Sequence, residues 1–268
     1  MRLIMRPPGE AFRRALSQHP ERDRIDPVHA ARQHAAYVAA IESAGVAVVT
    51  LPPDDELPDA CFTWDTVLAF AVPGDTMTAL LVACRPGEAS RRPEVPSVLA
   101  CAQMLAANAE VVVIQEPGTL DGGDVVTFGS RVAIGVSART NEQGARQLAD
   151  AVRRIGYAAD LCPVVDRLHL ASAVTALGPR RLIGTKAGFA SIEAAGDGAL
   201  SGIERLVIND EDLPAANVLA AGGRCFVARG YPAAEAVMRG AGESVVAVDL
   251  EEFLRADGGP TCLVAPIY

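Results

Sequence analysis

Few side chains in this chain can do covalent or acid–base chemistry, and they are widely scattered. The histidines are His19, His29, His34 and His169; the cysteines are Cys61, Cys84, Cys101, Cys162, Cys225 and Cys262. No two cysteines form the C-x-x-C pair that structural zinc sites normally use, so no metal is expected. The segment "DGGPTCLVAPIY" carries Cys262 six residues before Tyr268, after a Gly-Gly-Pro turn. A thiol there could be a disulfide partner, a metal ligand, a buried filler or a nucleophile. His169 lies in "VVDRLHLASAVTAL", between an apolar run and a small-residue segment. A satisfied core histidine and a proton-transfer group both fit that setting. The other three histidines fall in an N-terminal loop and helix, where a solvated polar face is the expectation.

Carboxylates and arginines supply the complementary charges. "GTLDGGDVVTFG" places Asp121, Gly122, Gly123 and Asp124 in a tight turn opening a strand, where two glycines permit close backbone approach. An ordinary Asp-Gly hairpin is the plain alternative. "LPDACFTWDTVLAF" brings Asp59, Trp64 and Asp65 to the start of another strand. "RPGEASRRPE" offers Arg91 and Arg92 in a loop, and "ARTNEQGAR" sets Arg139 at a helix start, where the helix dipole gives a cation no advantage. Carboxylates suit a planar cation, and arginines suit a carboxylate through paired hydrogen bonds. If these loops converge, the matching substrate has a guanidinium at one end and an amino-acid carboxylate at the other.

The elements that must position these groups alternate between short β-branched runs and longer Ala-rich stretches. Strands are expected at 46–51, 66–72, 78–84, 111–114, 124–128, 131–135, 157–162, 173–177, 181–184, 205–209, 224–229 and 244–250. Helices are expected from Asp26 (as N-cap) to a stop at Gly45, over 95–108, from Thr140 (as N-cap) to about Gly156, and over 232–241. Two strands, a helix and another strand recur with a period on the order of 50 residues, so five units would fill the chain. No linker or charge run marks a boundary, and residues 1–268 are expected to form one continuous domain.

Six segments, in order along nearly the whole chain, resemble the dimethylarginine dimethylaminohydrolases of the guanidino-group-modifying superfamily. They are "LPDACFTWDTVLAF", "LDGGDVVTFG", "SARTNEQGARQ", "LHLASAVTAL", "AANVLAAGGRCFVARGYP" and "DGGPTCLVAPIY". The resemblance implies an α/β fold, a five-bladed pseudo-symmetric propeller (pentein) of ββαβ units around a central active site. It implies Cys262 as nucleophile, His169 as general acid and base, and Asp121 as the group orienting the imidazole. Asp65 would hold the guanidinium, Asp59 and the Leu16 carbonyl the α-amino group, and Arg91 and Arg139 the carboxylate. The activity implied is hydrolysis of N-methylated arginines to citrulline and dimethylamine or methylamine through a covalent thiouronium, with no cofactor.

Two positions depart from the family pattern. Trp64 stands where many relatives have Glu; its indole would either pack on the alkylated guanidinium or fill the core. Arginine deiminases share the fold but carry Asp two residues after the catalytic His, where this chain has Ala171, which favours a substituted guanidinium.

Composition narrows the field further. A net charge of −9 and a pI near 5.0 argue against nucleic-acid or anionic-membrane partners, and no run approaches the length of a membrane span. A cytoplasmic location is expected, with a small-molecule substrate and a homodimer left open. An arginine deiminase or related amidino-group hydrolase is the same-class alternative. A non-catalytic propeller binding a macromolecule is the alternative from another class.

Overall fold

The structure, a computed structural model, describes residues 1–196 and 198–268. The chain opens with β1 (Arg2–Met5), crosses through α1 (Pro27–Ser43) and returns as β2 (Ala47–Thr50), parallel to β1. Four repeats of a longer unit follow. In the first, β3 (Val67–Ala71) and β4 (Thr78–Ala83) pair antiparallel, α2 (Val95–Leu105) crosses over, and β5 (Glu110–Val113) lies parallel to β4. The same plan builds β6 (Val125–Phe128), β7 (Arg131–Val136), α3 (Glu142–Arg154) and β8 (Ala158–Pro163). It builds β9 (Val174–Gly178), β10 (Arg181–Thr185), α4 (Lys186–Glu193) and β11 (Glu204–Ile208). The last copy is β12 (Leu219–Ala221), β13 (Arg224–Ala228), α5 (Pro232–Gly240) and β14 (Val245–Val248). Finally β15 (Ala265–Ile267) pairs antiparallel with β1, so the chain's end supplies the strand its beginning lacks.

The result is five three-stranded sheets of one ββαβ plan, closed into the propeller that the resemblance implies. A helical crossover is what two parallel strands require, and it leaves one helix outside each blade. Five apolar clusters fill the seams. Ile4, Leu81 and Ile267 join the first and second blades, and Leu80, Ile134 and Leu148 join the second and third. Val126, Leu182 and Phe189 join the third and fourth; Ile183, Val227 and Met238 join the fourth and fifth. Leu3, Tyr37, Phe226 and Phe253 close the ring.

Local sequence explains most of the elements. Asp26 caps α1 by accepting from the N–H groups of Val28 and His29, and Gly45 leaves the helix at φ 77°. The N-cap of α3 is Asn141, not Thr140. The Asn141 side chain accepts from Gly144 N–H at 2.8 Å and Thr119 N–H at 3.0 Å, while the Thr140 hydroxyl turns away to accept from Asp121 N–H at 3.1 Å. The second helix stops at Leu105, three residues before the expected end. His34 also departs from expectation: it is buried at 2% exposure beside the Phe253 ring rather than solvated. Strands β1, β12 and β15 and helix α4 were not anticipated. The three strands are too short to show a period and are specified by distant pairing.

Each blade's first strand is entered from a short 3-10 segment. These are Thr63–Asp65 before β3, Gly122–Asp124 before β6, Leu170–Ser172 before β9, Asp210–Ala216 before β12 and Thr261–Leu263 before β15. Neighbouring segments touch, so five pseudo-equivalent turns collect at one end of the ring. Among the described residues no helix is long and apolar enough to cross a membrane.

Candidate active site

Candidate groups at or beside four of those five turns meet at this end of the ring. One cleft at this end is lined by Leu16, Asp59, Asp65, Arg91, Arg139, His169 and Cys262, together with Phe62, Leu168 and residues 256–258. Cys262 is the middle residue of its turn and the one cysteine among the six that is partly exposed; the others are buried fillers. Its Sγ lies 3.4 Å from the Gly259 N–H and 3.7 Å from Asn217 Nδ2, both donors. Burial first, then the Asp65 charge, push this thiol up to about 11, against the pull of the Gly259 amide, Thr261 and Asn217.

His169 immediately precedes the turn of its blade and is 5% exposed. Its Nε2 meets Asp121 Oδ2 at 3.3 Å, which leaves Nδ1 as the second nitrogen, held directly over Gly123. A Cβ at Gly123 would stand 2.4 Å from that nitrogen, so only glycine lets the backbone pass under the ring. Burial opposes charge on His169, but Asp65, Asp124 and Asp121 outweigh it and raise the imidazole to about 9. Asp121 is fully buried; burial pushes its carboxyl up, but His169, Arg91 and the Gly87 N–H hold it below the ordinary range. Asp124 supports the same loop, accepting from Leu170 N–H at 3.0 Å and the Ser137 hydroxyl at 2.7 Å.

Asp65 faces the cleft with one oxygen on the Gly123 N–H at 2.7 Å and the other on Arg91 Nη1 at 2.8 Å. Arg91 is 4% exposed, and its donors reach Asp65, both Glu94 oxygens and the carbonyls of Asp59 and Phe62. It is therefore a buried cation that fixes Asp65 while also lining the cleft, its Nη1 bonded to Asp65 alone. Arg139 differs: its nearest carboxylates are Glu88 at 3.8 Å and Asp121 at 4.0 Å, too far for direct hydrogen bonds. Asp59 accepts from Leu16 N–H at 3.1 Å, tying the N-terminal loop over the cleft, and burial raises its carboxyl despite Arg91.

Trp64 is the expected contact that lies elsewhere. Its indole N–H donates to the Gly122 carbonyl at 2.5 Å. That turns the ring to line a mainly apolar cavity of about 140 Å³ on the other side of the turns, with Ala171 and Thr261. Glu94 and Asn217 were missed. Glu94, with its carboxyl raised to about 7 chiefly by burial, neutralises Arg91, and only its i, i+3 spacing from Arg91 hinted at this. Asn217 lies in a segment already matched to the family but gave no chemical signal of its own. Asp65, Asp121 and His169 could together reach a single cation, though Asp121 and His169 already pair with each other and Asp65 with Gly123 N–H and Arg91.

Known proteins resemble this chain in sequence and fold. A family model described as "N,N dimethylarginine dimethylhydrolase, eukaryotic" matches residues 8–170. The N(G),N(G)-dimethylarginine dimethylaminohydrolase of Streptomyces coelicolor is 34% identical over 97% of this chain and 94% of its own. That of Pseudomonas aeruginosa is 30% identical over 89% and 88%. A mutant of the P. aeruginosa enzyme complexed with citrulline superposes with a TM-score of 0.86 at 27% identity, covering 98% of both chains. The N-terminal domain of ArgZ, an arginine dihydrolase, has a TM-score of 0.81 at 17% identity and shares the fold. With sequence and fold in agreement over almost its full length, the chain belongs to the dimethylarginine dimethylaminohydrolase family.

Proposed function

We propose that the protein hydrolyses Nω-methylated arginines to citrulline and methylamine or dimethylamine. One observation carries this reading: a partly exposed thiol, an imidazole paired with a buried carboxylate, and a second carboxylate share one cleft with an unsaturated arginine. The substrate guanidinium lies against Asp65, its α-ammonium against Asp59 and the Leu16 carbonyl, and its carboxylate against Arg139. Arg91, which also lines the cleft, fixes Asp65.

The charge pattern explains how a thiol held at about 11 becomes a nucleophile. Asp65 helps keep it protonated, and a bound guanidinium cancels that influence, so the substrate itself favours the thiolate. Cys262 Sγ bonds to the guanidinium carbon while His169, oriented by Asp121, protonates the departing amine as its C–N bond breaks. His169 then takes a proton from water attacking the S-alkylthiouronium; the C–S bond breaks, and citrulline and the thiol are released.

The test is citrulline release from asymmetric dimethylarginine, monomethylarginine and arginine. Ala171 leaves a plain guanidinium without a second carboxylate, which costs about 1–3 kcal/mol, so methylated substrates should lead in kcat/KM by roughly one to two decades. A lead for arginine would replace this reading with an arginine deiminase. Cys262→Ser should abolish turnover, and no citrulline from any of the three would refute hydrolysis altogether.

A further inference from the structure

We propose that Asn217 is a catalytic residue, stabilising the thiolate form of Cys262 through its side-chain N–H once the thiol ionises; the catalytic part of this rests on the hydrolase reading above. Asn217 follows the 3-10 segment that enters the first strand of the fifth blade. The corresponding turns of the other blades supply Asp65, the Asp121 loop, His169 and Cys262. Asn217 is thus the contribution of the one blade otherwise silent in the site. It is 5% exposed.

Its amide can face only one way. Oδ1 accepts from the Thr261 N–H at 2.8 Å and the Thr261 hydroxyl at 2.9 Å. A backbone N–H can only donate, so the oxygen must point there and the NH2 must point oppositely. On that side lie two acceptors, the Ala171 carbonyl at 3.4 Å and Cys262 Sγ at 3.7 Å. The sulfur is held from two directions, since the Gly259 N–H reaches it at 3.4 Å. A Cβ at Gly259 would lie 2.7 Å from Asn217 Cγ, so glycine there lets the donors converge. Hydrogen bonds to a charged sulfur favour its charged form, which is what attack on the guanidinium carbon needs and what thiouronium breakdown regenerates. The same side chain ties the Cys262 turn to Ala171, two residues from His169, and so keeps nucleophile and acid in register.

The charged and titratable groups around the sulfur are Asp65 before β3, Asp121 and Asp124 around the β6 turn, and His169 before β9. Arg91, Arg139, Asp59 and Asp257 stand in the cleft, and Tyr37 reaches in from α1. Substitution at Asn217 leaves all of these in place. Asn217→Asp adds a charge of its own, so the neutral Asn217→Leu, which must also raise the midpoint, separates loss of the donor from repulsion by a new carboxylate. In Asn217→Asp the oxygen facing Thr261 is retained and the donor facing sulfur becomes an acceptor.

The midpoint for alkylation of Cys262 by iodoacetamide, followed by peptide mass spectrometry, should then rise by about 1 pH unit or more. With methylated arginine, kcat should fall by ~10²-fold, as for loss of one donor to a developing anion, with KM nearly unchanged. Asn217→Ser, which keeps a donor, should lie between Asp and wild type. In ¹⁵N-labelled wild type the Asn217 side-chain NH2 resonances should move with the same midpoint as the thiol, whatever the variants' folding. Alkylation midpoints unchanged in folded variants, or NH2 resonances indifferent to thiol ionisation, would reduce Asn217 to a structural brace and overturn the proposal. The thiol titration needs no substrate. Shifted midpoints with no guanidine hydrolysed would therefore sink the hydrolase reading and the word catalytic, while the hydrogen bond to the thiolate stood.

Discussion

In the empty enzyme the nucleophile should be almost wholly protonated, and a cation in the cleft should release it. With the thiol held up to about 11, the thiolate fraction at pH 7 is ~10⁻⁴, about a hundredfold below that of a thiol at its ordinary value of 9.0. Iodoacetamide, which is neutral, should therefore label Cys262 slowly at pH 7 and roughly tenfold faster per pH unit above it. A cationic haloacetamidine of similar size should lie against Asp65, cancel the charge that helps hold the proton, and shift the thiol by about 1–3 pH units. Its rate at pH 7 should exceed that of iodoacetamide by ~10–10³-fold after correction for intrinsic reactivity on free cysteine. Labelling of the Cys262 peptide is readable because the other five cysteines are buried, their thiols raised by burial. In Asp65→Asn the iodoacetamide rate should rise and the cation's advantage shrink. Equal pH profiles for both reagents, or labelling of the wild type at pH 7 as fast as free cysteine, would refute the reasoning.

Three further outcomes are expected. His169→Ala should lower kcat by ~10²–10⁴-fold, and wild-type kcat/KM should decline above pH 9 as the imidazolium, raised to about 9, loses its proton; a change confined to KM would contradict the assignment. Arg139→Ala should raise KM by about 10–100-fold for methylated arginine and barely affect guanidines lacking the carboxylate, since a hydrogen bond to a charged group contributes about 1.5–3 kcal/mol; equal effects on both would point to a folding role. His34 is buried, its Nε2 has no hydrogen-bond partner, and burial lowers its pKa to about 4 from 6.5. Because the folded value is the lower one, its neutral form stabilises the fold fully above pH 6.5 and loses roughly 3 kcal/mol as pH falls to about 4. Urea unfolding of His34→Leu over that range should show a shallower loss than wild type, and identical slopes would exclude His34 as the cause.

The sequence by itself determined the repeated plan and named most of the groups that the fold brings into one cleft. The long β-branched runs and the Asp26-to-Gly45 helix were legible because period and caps are local properties, set by neighbours within one turn or strand. Cys262, His169, Asp121, Asp65 and Asp59 could be named because the segments carrying them match the family in order. What the sequence could not show depends on groups far apart along the chain. Strand β15 pairs with β1 across the whole chain, and neither is long enough to reveal itself. The choice of Asn141 over Thr140 as cap was decided by Thr119 and Asp121, which present partners for both side chains. The resemblance assigns Arg91 to the substrate carboxylate, but Glu94 and Asp65 close on it in the interior. The choice for Trp64 between guanidinium and core is made by Gly122, which holds its ring away from the cleft. Asn217 acquires a role only when the ring brings it within reach of Cys262, because one amide side chain has no chemistry until the fold decides what its N–H groups face.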